Sequence, residues 1–184
     1  MKSTKLKLPE VLLLEPDIFK DERGFFYESF NQDKFDQATG KKISFVQDNY
    51  SKSIKNTLRG LHYQLAPMAQ GKLVSVLQGE IFDVVVDLRK SSKTFGDFIC
   101  QKLDALTKKQ LWIPEGFAHG FLVVSDFAEV IYKTTNFYNP NLERSIIWSD
   151  KDLSINWPNH SDILLSDKDK KAPSFLEADF FTEL

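Results

Sequence analysis

The chain reads as an all-β fold of barrel or sandwich type, and three observations predict it. First, β-rich apolar runs recur along the whole length, among them Ile81-Phe82-Asp83-Val84-Val85-Val86-Asp87-Leu88, Gly120-Phe121-Leu122-Val123-Val124 and Ala128-Glu129-Val130-Ile131-Tyr132. Second, turn clusters separate them, such as Gln78-Gly79-Glu80, Lys90-Ser91-Ser92 and Tyr138-Asn139-Pro140-Asn141. Third, helical signals are confined to short pieces. One runs from Asn31 to Gln37, capped by Asn31 and ended near Gly40; the other is the tail from Ser174 to Leu184, whose Phe175, Leu176, Phe180 and Phe181 should dock on the barrel. No repeat, low-complexity tract or linker interrupts residues 1–184, so they read as a single domain.

At 184 residues the chain can bury a substantial core, and 42% hydrophobic with 27% charged residues is a globular balance. The formal net charge of -2 argues against a general nucleic-acid binder, so an anionic ligand would be held by a few placed cations. The 16 phenylalanines suit core filling or an aromatic-lined cleft. Cys100 is the single cysteine, which leaves no internal disulfide; within Phe98-Ile99-Cys100 it reads as a buried, inert strand thiol. The apolar run Val11-Leu12-Leu13-Leu14 stops at Glu15, too short for a signal peptide or a membrane span. A cytoplasmic protein with no membrane partner is the expectation.

Two stretches carry more information. Trp112-Ile113-Pro114-Glu115-Gly116-Phe117-Ala118-His119-Gly120 runs from a strand through a Pro-x-Gly turn to a histidine entering the next strand. Upstream, Gly71-Lys72-Leu73-Val74-Ser75-Val76-Leu77-Gln78-Gly79-Glu80 is a strand closed by a glycine turn. Together they resemble the two halves of a cupin, which implies a cupin-like jelly-roll barrel with a few short helices. Most cupins hold a metal through a His-x-His pair, a glutamate and a second-half histidine. Here the first half offers only His62-Tyr63-Gln64, and His160, in Trp157-Pro158-Asn159-His160, reads as part of a surface loop. Two histidines without a well-spaced third ligand make a poor transition-metal site, so no metal and no cofactor is expected.

His62 lies in the strand-like run Thr57-Leu58-Arg59-Gly60-Leu61-His62-Tyr63-Gln64. Regular alternation groups His62 with Leu58 and Gly60, and Arg59 with Leu61 and Tyr63. For Arg59 and His62 to share one site, a bulge near Gly60 must re-aim one of them.

The motifs taken in order resemble the dTDP-4-dehydrorhamnose 3,5-epimerase family almost end to end. They are Asp21-Glu22-Arg23-Gly24-Phe25-Phe26-Tyr27-Glu28-Ser29-Phe30, Gln47-Asp48-Asn49, Leu58 to Gln64, Gln70-Gly71-Lys72-Leu73-Val74 and Trp112 to Phe121. Tyr132-Lys133-Thr134-Thr135, Tyr138, Glu143 and Leu165-Ser166-Asp167-Lys168-Asp169 follow. One departure is Ser145, where the family usually carries glycine. The resemblance implies His62 as base, Asp169 as its orienting partner, Lys72 near a ketone oxygen and Tyr132 as acid. It implies a nucleotide-sugar site of Arg23, Phe26, Glu28, Gln47, Asp48, Asn49, Arg59, His119, Tyr138, Glu143 and Lys168. It also implies a dTDP-sugar substrate and a homodimer.

The implied chemistry fits these residue types. A hydrogen beside a ketone is so weakly acidic that a gap of ~10 pKa units from a histidine base would cost ~14 kcal/mol. A fixed cation such as Lys72 at the ketone oxygen would stabilise the enolate, and a carboxylate would fix the imidazole tautomer. Inversion requires a second group on the other face, for which a tyrosine that keeps its proton at neutral pH is suitable. Tyr132 and Tyr138 both compete for that role. Arg23 and Arg59 suit a diphosphate, and Phe26 could stack on the thymine. Alternatives are a relative that inverts one carbon of a related dTDP-ketosugar, a non-catalytic sugar-nucleotide binder, and a metal-dependent cupin oxygenase. The joint presence of His62, Lys72, Tyr132 and Asp169 argues against the binder, because binding alone needs no proton acceptor and donor.

Overall fold

The structure is a computed structural model that describes residues 1–158 and 162–182; His160 therefore lies outside the described residues. In chain order the first strands are β1 (Lys2–Lys5), β2 (Leu12–Glu15), β3 (Phe19–Asp21), β4 (Gly24–Phe26), β5 (Gln47–Ile54), β6 (Leu58–Gln64) and β7 (Lys72–Gln78). They continue with β8 (Glu80–Asp87), β9 (Phe98–Asp104), β10 (Gln110–Ile113), β11 (Phe117–Val123), β12 (Phe127–Thr134) and β13 (Glu143–Ser145). Helix α1 (Gln32–Thr39) separates β4 from β5, and the single turn α2 (Asp167–Lys170) follows β13.

The strands form a six-stranded sheet, β1-β2-β10-β7-β12-β5, and a five-stranded sheet, β13-β6-β11-β8-β9, with β3–β4 as a separate hairpin. Among the described residues the named strands pair with one another only antiparallel, as an all-β jelly roll requires, and two single bridges outside them, Thr57 with Leu164 and Arg89 with Phe181, are parallel. Alternation along each strand then makes three apolar layers. Val74, Val76, Ala128 and Val130 meet Ile81, Val85, Phe121 and Val123 between the sheets. Outside the larger sheet, Leu12, Leu14, Leu73 and Trp112 are covered by Phe35 of α1, whose ring stands edge-on to Trp112 at 5.1 Å. Outside the smaller sheet, Leu58, Leu61, Tyr63, Val84 and Val86 are covered by Trp157, Phe175 and Phe181. Each such side chain, fully buried, contributes roughly 1.5–3 kcal/mol.

Helix α1 has the expected caps. The Asn31 side chain accepts from the Lys34 N–H at 3.1 Å, and Gly40 takes the left-handed conformation that ends the helix. The tail departs from its expected helix: among its described residues only Phe175–Glu177 forms a 3-10 turn, closed by a Ser174–Glu177 capping box. Beyond it the chain extends, and the Phe181 N–H donates to the Leu88 carbonyl at 3.1 Å. Docking beside β8 satisfies the backbone there and buries Phe175 and Phe181, while Leu176 stays exposed. Cys100 lies on a strand, as expected, but it is exposed. It sits on the edge strand β9, where the alternation that buries Ile99 turns Cys100 outward. Among the described residues, no helix is long and apolar enough to cross a membrane.

Candidate active site

A cavity of about 570 Å³ opens between the two sheets, and the bulge anticipated near Gly60 shapes its wall. On β6 and β11, His62 pairs with His119 and Arg59 with Phe121, so Gly60 and Leu61 together oppose Gly120 alone. Leu58 and Leu61 both pack outward, which returns Arg59 and His62 to the cavity side. A Cβ on Gly60, whose φ is +134°, would lie 2.5 Å from the Gly120 Cα. Only glycine tolerates that approach. Ser145 pairs with His62 from the other side, on β13.

His62 Nε2 lies 2.5 Å from Asp169 Oδ1. Asp169 comes from the charged run that, on pattern alone, reads as an exposed loop. It is only 2% exposed, because Ser166 caps α2 by accepting from the Asp169 N–H and turns the carboxylate toward β6. Burial pushes the Asp169 carboxyl up, but hydrogen bonds from His62 and Ser166 outweigh it and hold the group below the usual range.

Lys72 opens β7 on the inward face and is buried. Its Nζ donates to the His62 carbonyl at 3.2 Å. Burial lowers its pKa to about 8, against the opposing pull of Asp83 and Glu143. A desolvated ammonium is a strong partner for developing negative charge.

Beside it stands a second histidine–carboxylate pair. His119 Nε2 lies 2.8 Å from Asp83 Oδ2, and both residues are buried. Burial raises the Asp83 pKa, although His119 and Lys72 pull it down. None of the sequence motifs singles out Asp83 as a site residue. Its signal was an acid at an inward position of the otherwise apolar strand Ile81 to Val86, where a buried charge needs a specific partner.

Tyr132 faces the cavity from β12, in the opposite sheet from His62. Burial raises its pKa, with Arg59 countering, so it holds its proton at neutral pH. Tyr138 is 52% exposed and donates its hydroxyl to Glu143 Oε2 at 2.7 Å. Glu143 also meets Lys168 Nζ at 2.5 Å. Asn49 and Arg59 complete this group on the cavity wall.

Five sequence-derived residues lie off the cavity wall. Gln47 supports it from behind, accepting from the Tyr138 N–H at 3.0 Å and donating to Asn49 Oδ1 at 2.8 Å. Asp48 pairs with Lys133 at 3.0 Å. Arg23 is bound to Asp21 on the β3–β4 turn. Phe26 and Glu28 line a second cavity beside Phe30 and Phe35, where Glu28 meets Asn31 and Lys34. Among the described residues, no group of three or more His, Cys, Asp or Glu side chains could hold a metal ion.

The model of the family described as dTDP-4-dehydrorhamnose 3,5-epimerase matches residues 5–177. The chain belongs to that family. A dTDP-4-dehydrorhamnose 3,5-epimerase from Shigella flexneri is 59% identical over 181 residues, covering 98% of this chain and 99% of the relative. One from Pseudomonas aeruginosa is 54% identical over 181 residues, with the same coverage of 98% and 99%. Among solved structures, the dTDP-6-deoxy-D-glucose-3,5-epimerase of Legionella pneumophila Philadelphia 1, in complex with dTDP-4-keto-L-rhamnose, superposes with a TM-score of 0.95 at 45% identity. That match covers 100% of this chain and 98% of the other. The chain is thus an epimerase of the cupin-like jelly-roll type, and the family's sugar-nucleotide chemistry frames the roles of its cavity residues.

Proposed function

We propose that this chain inverts C3 and C5 of dTDP-4-keto-6-deoxy-D-glucose to give dTDP-4-keto-L-rhamnose, in dTDP-L-rhamnose biosynthesis in the cytoplasm. The observation that carries the mechanism is the placement of His62 and Tyr132 on opposing sheets of one cavity. A sugar ring held between the sheets would present one face to each. His62 takes the proton from the carbon beside the C4 ketone, and the electron pair moves onto the ketone oxygen as an enolate. Lys72 stabilises that oxygen, as a buried cation can. Asp169 acts through His62 as a positioning residue, holding the ring and favouring the imidazolium. Tyr132 returns a proton to the opposite face, which inverts the carbon. Tyr138 is the weaker candidate for this step, since its hydroxyl is exposed and engaged by Glu143.

Arg59, Asn49, Glu143 and Lys168 are proposed to hold the nucleotide diphosphate end, and His119 the sugar. Arg23, Phe26 and Glu28 belong to the same site through a homodimer. Their hairpin region lies away from the chain's own cavity and exposes Phe19, Phe25 and Phe26. A second copy gives that apolar surface a place at the partner's cavity mouth. Light scattering should report a dimer, and mixing inactive His62→Ala with weakly binding Arg23→Ala should restore activity in hybrid dimers. A clean monomer at micromolar concentration would contradict this arrangement.

The activity itself is tested by proton NMR of the protein with dTDP-4-keto-6-deoxyglucose in deuterated water. Exchange with inversion at both C3 and C5 is expected. Inversion at one carbon alone would make the chain a mono-epimerase, and no exchange at all would remove the catalytic reading.

A further inference from the structure

Strand β5 carries a polar inward row, Asn49, Ser51 and Ser53, at positions where a barrel strand ordinarily presents apolar side chains. Asn49 and Ser51 line the cavity, which accounts for their polarity. Ser53 does not line it and is 6% exposed, so its hydroxyl needs another reason to be there. The reason is Arg59. The Arg59 Nε–H donates to Ser53 Oγ at 3.0 Å, a bond that crosses from β6 of one sheet to β5 of the other.

We propose that Ser53 is a positioning residue for substrate binding. Its hydroxyl fixes the inner edge of the Arg59 guanidinium so that the two terminal nitrogens are presented, already ordered, to an anionic diphosphate. The inference rests on the reading of Arg59 as a diphosphate ligand. An unbraced arginine has many rotamers to lose when it binds, and the loss weakens affinity. A guanidinium held at Nε leaves its outer nitrogens free for the paired hydrogen bonds that suit phosphate oxygens. The bulge at Gly60 and Leu61 turns Arg59 inward, and Ser53 then sets the direction of its head group.

The test is calorimetric titration of dTDP into the intact protein, with kcat and KM measured alongside. Ser53→Ala should weaken dTDP about fivefold, which at 1.4 kcal/mol per tenfold is about 1 kcal/mol. It should raise KM comparably and leave kcat within about twofold, because His62, Lys72 and Tyr132 are untouched. Arg59→Ala should lose more, and the double variant no more than Arg59→Ala alone, since without the guanidinium the brace has nothing to hold. Ser53→Thr, which keeps the acceptor, should recover affinity relative to Ser53→Ala. Should Ser53→Ala not fold, Ser53→Cys carries the same test, because its sulfur is a weak acceptor of similar size. Unchanged dTDP affinity in the serine variants, beside a weakened Arg59→Ala, would overturn this inference alone. A double variant that loses the product of the two single effects would do so as well. Normal dTDP binding by Arg59→Ala would overturn the inference together with the diphosphate reading beneath it.

Discussion

The histidines of the two histidine–carboxylate pairs, His62 on β6 and His119 on β11, are register partners, yet Asp169 of α2 and Asp83 of β8 give the pairs opposite electrostatics. In the first, Asp169 is held below the usual carboxylate range by His62 and the Ser166 cap, and His62 remains partly open to the cavity. In the second, burial raises Asp83, and His119 is almost sealed. The same pair of residue types can therefore drive a proton transfer or hold a floor in place, depending on how much water and how many donors surround the carboxylate. On this comparison the proposed base is the accessible pair, and the buried pair shapes the site beneath the substrate.

The largest expected effect comes from breaking the accessible pair at the ring. His62→Ala should lose about a hundred- to ten-thousand-fold in both solvent exchange and turnover while still binding dTDP. Exchange at the normal rate would transfer the base role elsewhere, with His119 the first alternative. Asp169→Asn keeps the shape and removes the charge, so kcat should fall by roughly a hundredfold with KM little changed. An unaltered kcat would mean that the carboxylate only packs.

Lys72 gives a pH-dependent test. With its pKa lowered to about 8, it carries its charge below that pH and loses it above. The profile of kcat/KM should therefore fall on the alkaline side near pH 8, by about tenfold per unit once well past it. A profile flat to pH 10 would contradict a catalytic cation at this position.

The smallest effects concern stability, and they should have different signs. Asp169 has a depressed folded pKa, so its stabilisation is present above the unfolded value of about 3.9 and is lost as pH falls through the folded value. Asp83 has a raised folded pKa, so its ionised form costs the fold at neutral pH, and that cost is relieved as pH falls. At pH 7 Asp169→Asn should lose about 1–3 kcal/mol, whereas Asp83→Asn should melt no lower than the parent. Matching losses of melting temperature in both variants would erase the distinction between the pairs.

Much of this was legible in the sequence, for identifiable reasons. Strand alternation and turn residues set out the β architecture, and Asn31 with Gly40 marked both ends of α1. The parity conflict between Arg59 and His62 pointed to the bulge, because two inward side chains at that spacing require an extra residue. What stayed hidden depended on distant partners. The burial of Asp169 follows from where α2 packs, and the charged run around it carries no trace of that. Asp83 was visible only as an acid in an apolar strand, and its partner lies 36 residues away. The tail showed helical spacing, but pairing beside β8 satisfied its backbone better than a helix would. Cys100 was misplaced because alternation alone cannot tell a covered face from a bare sheet edge.

In the proposed mechanism protons leave and return on opposite faces, through His62 on one sheet and Tyr132 on the other. Tyr132→Phe tests it most directly, because the ring stays and only the hydroxyl proton is removed. Proton NMR in deuterated water would follow exchange and inversion in the same sample, with Tyr138→Phe as the parallel variant. Tyr132→Phe should still exchange deuterium into the sugar with the starting stereochemistry, while inversion falls far more than exchange. Tyr138→Phe should invert with a smaller loss. Inversion at the normal rate in Tyr132→Phe, with loss of inversion in Tyr138→Phe, would contradict this mechanism and transfer the acid role to Tyr138.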